Sequence, residues 1–448
     1  MKHTLLLALC ALSLIACHKA PQYSWEQDLQ HRLAYDFSWT KADVKEAIAK
    51  IIPEVTDEQI DRWTEQELLE TMVIDGELRY FRRSVNNLFR LDSACHARKV
   101  AQQIQLNESA HGTSLETDDD LEAKHLRQVS VEGNPLAAPR RLRVTCSITV
   151  KPDAVPAGEV IRCWLPYPRT DVPRQTDVVF LGANHPVIMP DPECEHSTTY
   201  QECKACAGEP TVFETQFEYT VYGEYWSLDD LRERILPYDT SSELYQYYTA
   251  EREKHVIFTD QMRHLSDSLT AGLTHPLDKV EAIFRYLDTN FPWGGAREYS
   301  TIPNIPEYVL HIGHGDCGQQ TLLFITLARV AGIPCRFQSG LTTDPSGWNM
   351  HDWSETWFEG VGWVPLDASR GLCDFDNVPE LFYMTGFEHH RMIVNNDFGM
   401  PLSPTKTFPR SDDVDFQHGE VEWRGGNIYM DQFSFDMEYE DIPLTEEE

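Results

Sequence analysis

Cys317, His351 and Asp367 are the residues whose types and order best fit one chemistry, nucleophilic attack on an acyl carbon. Cys317 lies in Gly315-Asp316-Cys317-Gly318-Gln319-Gln320-Thr321, bracketed by two glycines. Leu322, Leu323, Ile325, Leu327, Ala328 and Val330 then continue as a buried helix that ends at Gly332-Ile333-Pro334. A cysteine at a helix start meets unpaired N–H groups and the positive dipole end, which favour a thiolate. A lone cysteine reads as readily as a small buried thiol. The flanking glycines point instead to close approach by something other than packing. His351, in Met350-His351-Asp352-Trp353, opens an alternating run. Its imidazole is suited to take the thiol proton and to return one to the leaving group. Asp367 closes the next run, Gly362-Trp363-Val364-Pro365-Leu366. A carboxylate there would set the imidazole tautomer and stabilise the imidazolium. Taken singly, the histidine reads as structural and the aspartate as a surface charge. Together, in that order and at element ends, they form a coherent set.

The elements that must hold these groups are a helix beginning at Cys317 and two neighbouring antiparallel strands. Asp352 to Leu366 and Arg391 to Val394 carry strand patterns, with a turn at Glu359-Gly360. Acyl transfer also needs an oxyanion hole. The Cys317 backbone N–H is one donor. Trp293, Tyr299 and Gln319 are side-chain candidates, with Tyr299 favoured, and each reads equally as a packing residue.

With these blocks quoted, residues 280–370 resemble the core domain of the transglutaminase-like superfamily. Gly-Asp-Cys-Gly at 315–318, Gly-Ile-Pro at 332–334, His-Asp-Trp at 351–353 and Gly-Trp-Val-Pro-Leu-Asp at 362–367 match its signature blocks. The resemblance implies a papain-like α+β fold and carries Cys317, His351 and Asp367 over as the catalytic residues. It implies attack on an amide carbonyl, with no cofactor or metal in the site. Water as acceptor gives a protease or amidase, the favoured reading. An amine gives a transglutaminase that forms isopeptide bonds. A non-catalytic binding lipoprotein on the same fold is the remaining alternative. Counterparts of the calcium-binding segments of animal transglutaminases are not evident.

The rest of the chain sorts by pattern. Leu5 to Ile15 is almost wholly apolar, too short to span a bilayer but suited to a signal peptide. Leu14-Ile15-Ala16-Cys17 resembles the lipobox of bacterial lipoproteins, which implies cleavage after residue 16 and lipid on Cys17. The expectation is an exported protein anchored to a bacterial membrane by lipid, facing the periplasm or the cell surface. Without Cys10 and Cys17, nine of the eleven cysteines remain, an odd number that leaves at least one free thiol, with Cys317 the candidate. Cys194, His196, Cys203 and Cys206 could bind zinc, but they lack a second paired half, so a disulfide or loop thiols are favoured.

Residues 17–106 read as helical, with Thr56 capping a helix and a further helix from Glu77 to Leu91. Residues 107–139 read as a polar linker, and 140–227 alternate as an antiparallel, sandwich-like β domain. Residues 228–436 read as the catalytic domain and 437–448 as a frayed acidic tail. With 72 acidic against 38 basic residues, the net charge of −34 disfavours nucleic acid and leaves a protein or peptide substrate.

Overall fold

Threonine and serine caps start the N-terminal helices. The computed structural model describes residues 24–110, 118–130, 135–344 and 347–444. The signal-peptide and lipidation expectations at 1–16 and Cys17 therefore lie outside the described residues. Ser24, Thr40 and Thr56 accept backbone N–H bonds at the starts of α1 (Trp25–Asp36), α2 (Lys41–Ala49) and α3 (Asp57–Glu65). Asp43 and Gln59 return the bond to the two threonines, completing capping boxes. The helix expected from Glu77 to Leu91 is instead a hairpin followed by a shorter helix. β1 (Thr71–Ile74) and β2 (Glu77–Tyr80) turn on Asp75 and Gly76, at φ 51° and 82°. Two positive φ angles make the turn whose twist suits paired strands. α4 (Ser84–Leu91) and α5 (Ser93–Ala110) follow. Within the expected linker, α6 (Asp118–Val129) docks Leu126 and Val129, both fully buried, into the central core.

β3 (Leu136–Val150), β4 (Val160–Pro166), β5 (Gln175–Ala183), β6 (Val187–Ile188), β7 (Thr198–Lys204) and β8 (Thr211–Tyr225) build the β region. Leu142, Val144, Cys146, Ile148 and Val150 point inward from β3, and Phe213, Phe217, Tyr219 and Val221 do so from β8. α7 (Leu228–Arg234), α8 (Glu243–Tyr248), α9 (Asp260–Leu269), α10 (Pro276–Asn290) and α11 (Ile305–Ile312) lead to α12 (Cys317–Val330). β9 (Cys335–Asp344), β10 (Gly347–Phe358) and β11 (Gly362–Leu366) come next. After α13 (Phe382–Thr385), the chain adds β12 (Gly386–Phe387), β13 (Arg391–Asn395), β14 (Glu420–Trp423), β15 (Gly426–Ile428) and β16 (Phe433–Ile442).

α12 is apolar on nearly every side because it is enclosed. Leu322, Leu323, Phe324, Ile325, Leu327 and Ala328 are all fully buried against the sheet β11-β10-β9-β13 and against α9, α10 and α11. Each large side chain in that set stabilises the fold by roughly 1.5–3 kcal/mol. The helix start that carries Cys317 is thus fixed by a dozen residues of core behind it.

The C-terminal strands depart from the expected layout. β14 and β15 extend the sheet of β4, β7 and β6, and β16 lies on β3 along its full length. The segment expected as a frayed tail contains Met437, buried in the β core. Glu438, Glu440 and Asp441 are exposed, with Glu440 meeting Arg143 at 2.8 Å and Asp441 meeting Arg140 at 2.5 Å.

Candidate active site

Cys317 owes its place to a reciprocal cap. The Asp316 carboxylate accepts from the Gln319 backbone N–H, and the Gln319 side-chain Oε1 accepts from the Asp316 N–H, both at 3.2 Å. Cys317 is therefore the first helical residue, where the N–H has no partner inside the helix. Gly318 explains the bracketing glycine. A Cβ there would come to 2.5 Å from the Tyr299 hydroxyl and 2.7 Å from Asp352 Oδ2. Only glycine lets those two side chains close over the helix start.

His351 and Asp367 meet across β10 and β11. His351 Nε2 lies 2.6 Å from Asp367 Oδ2. Nε2 is thereby engaged, which leaves Nδ1 as the nitrogen able to take a thiol proton. Asp367 is fully buried and heavily used. Its Oδ1 accepts from the Ser369 N–H, the Ser369 hydroxyl and the Arg370 N–H at 2.8–3.1 Å. Its Oδ2 also accepts from Arg391 Nη1 at 2.7 Å. Burial opposes the ionised carboxyl, but His351 and Arg391 outweigh it and hold Asp367 well below the usual carboxylate range. Arg391 is itself fully buried, and its other nitrogens reach Glu388 at 2.7 and 3.1 Å. The sequence marks Arg391 only as the start of a strand.

Asp352 is the residue that motif reading passed over. Its Oδ2 stands 3.3 Å from Cys317 Sγ, and its Oδ1 accepts from Gln417 Nε2 at 2.7 Å. Burial, then Asp316, raises the Asp352 carboxyl well above its usual range. Burial, then Asp352 and Asp316, raises the Cys317 thiol as well. These surroundings work against the lowering expected from the helix start.

The oxyanion candidates separate on geometry. The Tyr299 hydroxyl donates to Asp316 Oδ1 at 2.5 Å, so its proton is engaged, although the ring lines the cavity. Gln319 is fully buried and does not line the cavity, and its Nε2 has no hydrogen-bond partner among the described residues. Trp293 is 39% exposed and lies beside the helix start through a backbone bridge to Gly315.

Cys317, His351 and Asp352 open into one cavity of about 670 Å³, a size suited to a peptide segment. Its opposite side comes from the N-terminal helices, through Arg83, Arg90 and Tyr35.

Metal chemistry finds little support among the described residues. His125, His389 and His390 are the one group close enough to share an ion. Arg140 Nη1 lies 2.9 Å from His390 Nδ1, so Nδ1 accepts and the ring proton sits on Nε2. That proton points at His125 Nδ1, 3.0 Å away. The contact satisfies two of the three ligand atoms without an ion. At the other candidate, His196 Nε2 meets the Asp397 carbonyl at 2.8 Å and Nδ1 faces Arg410 at 3.3 Å. His196 is therefore not turned toward the nearby cysteines. All nine described cysteines, Cys317 included, are free thiols.

Residues 263–368 match the profile of the transglutaminase-like superfamily. The chain therefore carries a transglutaminase-like domain, which holds Cys317, His351 and Asp367. An uncharacterized Bacillus subtilis protein, YebA, is 25% identical over 175 residues. That match covers 35% of this chain and 23% of YebA. Among solved structures, a candidate cysteine protease from Cytophaga hutchinsonii is 12% identical with a TM-score of 0.47, covering 69% of this chain and 93% of that one. The periplasmic domain of TgpA from Pseudomonas aeruginosa is 14% identical with a TM-score of 0.28, covering 58% and 94%.

Proposed function

We propose that the protein is a thiol-dependent acyl-transfer enzyme that acts on amide bonds of proteins or peptides, with water as the usual acceptor. The observation that carries this reading is the 2.6 Å contact between a buried Asp367 and Nε2 of His351, which lines the cavity that Cys317 enters. In this mechanism His351 Nδ1 takes the Cys317 proton as Sγ attacks the carbonyl carbon. The tetrahedral intermediate collapses to an acyl-enzyme, and the imidazolium returns its proton to the departing amine. Water, deprotonated by His351, then releases the acid. Asp367 stays ionised, held so by Arg391, and stabilises the imidazolium. The Cys317 N–H supplies one oxyanion donor. Tyr299 becomes the second donor when its hydroxyl leaves Asp316 for the substrate oxygen.

The same chemistry with an amine acceptor would make isopeptide bonds. Export and lipid attachment at Cys17 belong to this proposal and place its substrates outside the cytoplasm. The test is mass spectrometry of envelope peptides incubated with wild type and with Cys317→Ala. New termini that need Cys317 support hydrolysis. Loss of ammonia with a new cross-link supports transfer. Identical peptide maps from the two proteins would sink both.

A further inference from the structure

Arg83 and Arg90 face the cavity from the N-terminal helices, a region to which sequence motifs assign no chemistry. Other charged groups around the cavity are engaged within the protein. Arg82 meets Asp36 at 3.3 Å, and Arg370 meets Glu122 at 3.4 Å. The Arg83 guanidinium has neither an ion pair nor a hydrogen bond among the described residues. Arg90 has only the face of Trp293, 4.4 Å from its guanidinium to the ring centre. Both arginines are exposed, in a chain whose net charge is −34. Two guanidinium groups without a carboxylate partner, in the wall of the cavity that Cys317 enters and in so acidic a molecule, call for an anionic partner.

Their placement says where that partner sits. Arg83 immediately precedes α4 and Arg90 lies in its last turn. Seven residues on a helix put them on one face, about 10 Å apart. That span equals roughly three residues of extended peptide. At the Arg83 end, burial lifts the Asp316 carboxyl to about 6, and the Arg83 charge pulls against that rise. Arg83 thus acts within electrostatic reach of the residue preceding Cys317. At the other end, Trp293 and the Arg90 guanidinium form a flat cationic face that a planar carboxylate fits. Asn87, between them on α4, fixes the helix to the core by exchanging two hydrogen bonds with Gly295, at 2.8 and 2.9 Å.

We propose that Arg83 and Arg90 are specificity residues that bind a carboxylate on the acyl substrate, from an acidic side chain or a chain terminus, next to the amide presented to Cys317. The inference rests on the reading of Cys317 as nucleophile, and its test separates the two. Cys317 is alkylated at about pH 8 with iodoacetate, which is anionic, and with iodoacetamide, which is neutral. The ratio of the two rates is compared with that of N-acetylcysteine. In wild type the ratio should exceed the small-molecule value by about five- to tenfold, and it should fall with added salt. In the double variant R83Q/R90Q it should return to within about twofold of that value. Arg98→Gln, which removes one positive charge away from the cavity, should leave it unaltered. A wild-type ratio no higher than that of the free thiol, or one that survives R83Q/R90Q, overturns the proposal.

Labelling by neither reagent would refute the nucleophile reading alone. Binding to Cys317→Ala then decides the arginines, with three probes: a Glu-containing peptide amide, its Gln counterpart, and the Gln peptide with a free C-terminal carboxylate. Preference for the first or the third, lost in R83Q/R90Q, supports the proposal and tells side chain from terminus. Equal binding of all three contradicts it.

Discussion

Asp352 and Cys317 share a 3.3 Å contact inside the protein, so the first proton to leave the pair belongs to the carboxyl. The charge then left on Asp352 opposes a thiolate beside it. In Asp352→Asn the thiol becomes the only acid of the pair. The midpoint of Cys317 alkylation against pH should then move down by at least about one pH unit. An unmoved midpoint would mean that Asp352 does not control the thiol. Asp367 offers a second test at this scale. Burial works against its charge, but His351 and Arg391 prevail and depress it, so the unfolded chain takes up this proton first as pH falls. The stabilisation is complete above about pH 5 and is lost as pH drops toward the folded-state value. Arg391→Met should cost about 3–5 kcal/mol at neutral pH, because it strands Asp367 and Glu388 as buried charges. Urea midpoints should show that deficit shrinking in acid, and a deficit that stays constant with pH would contradict the assignment. Cys317, His351 and Asp367 were legible because each sits in a short motif, although His351 lies within β10, four residues past its start, and not at the strand opening the sequence suggested. Asp352 and Arg391 were not. Their meaning arises from partners that lie well away in sequence, Gln417 for one and Asp367 for the other.

At the scale of elements, the start of α12 is the tightest joint in the site. Gly318 admits the Tyr299 hydroxyl and Asp352 where any side chain would collide with both. Gly318→Ala should cost about 1–3 kcal/mol in stability, measured by denaturant midpoint. Its larger effect should be on turnover, about a hundredfold or more, because a displacement of about 1 Å at the nucleophile is enough for that. Activity that tracks stability alone would mean the glycine serves packing only. The helix itself was readable from its apolar run. The hairpin of β1 and β2 was not, since Tyr80, Phe81 and Val85 satisfy a helical spacing as well as a strand followed by a helix. The Asp75-Gly76 pair was the signal that could have found it.

Across the whole molecule, the chain returns at its end to complete what it began near residue 136. β16 closes the open side of β3, and its outward acids meet Arg140 and Arg143. The acidic composition of residues 437–448 masked an alternating strand: Phe433, Phe435, Met437 and Tyr439 share the inner face. Removing residues 433–448 should expose β3 as an apolar edge and take one carboxylate partner each from Arg140 and Arg143. The expected result is aggregation on purification, or a melting temperature lowered by at least about 5 °C. A truncated protein as stable and monomeric as wild type would show the strand to be dispensable. The N-terminal helices likewise join the site at a distance. They supply the arginine side of a cavity whose other side is built some 230 residues later. No local motif could announce that pairing.

The central claim is that Cys317 forms the acyl-enzyme with His351 as its base. Rapid acid quench during turnover of a peptide ester, followed by peptide mapping, tests it most directly. The account predicts an acyl group on the Cys317 peptide in wild type, and no detectable adduct in a folded His351→Gln protein on the same timescale. Turnover with the acyl group on another residue, or an adduct formed equally fast without His351, would contradict it.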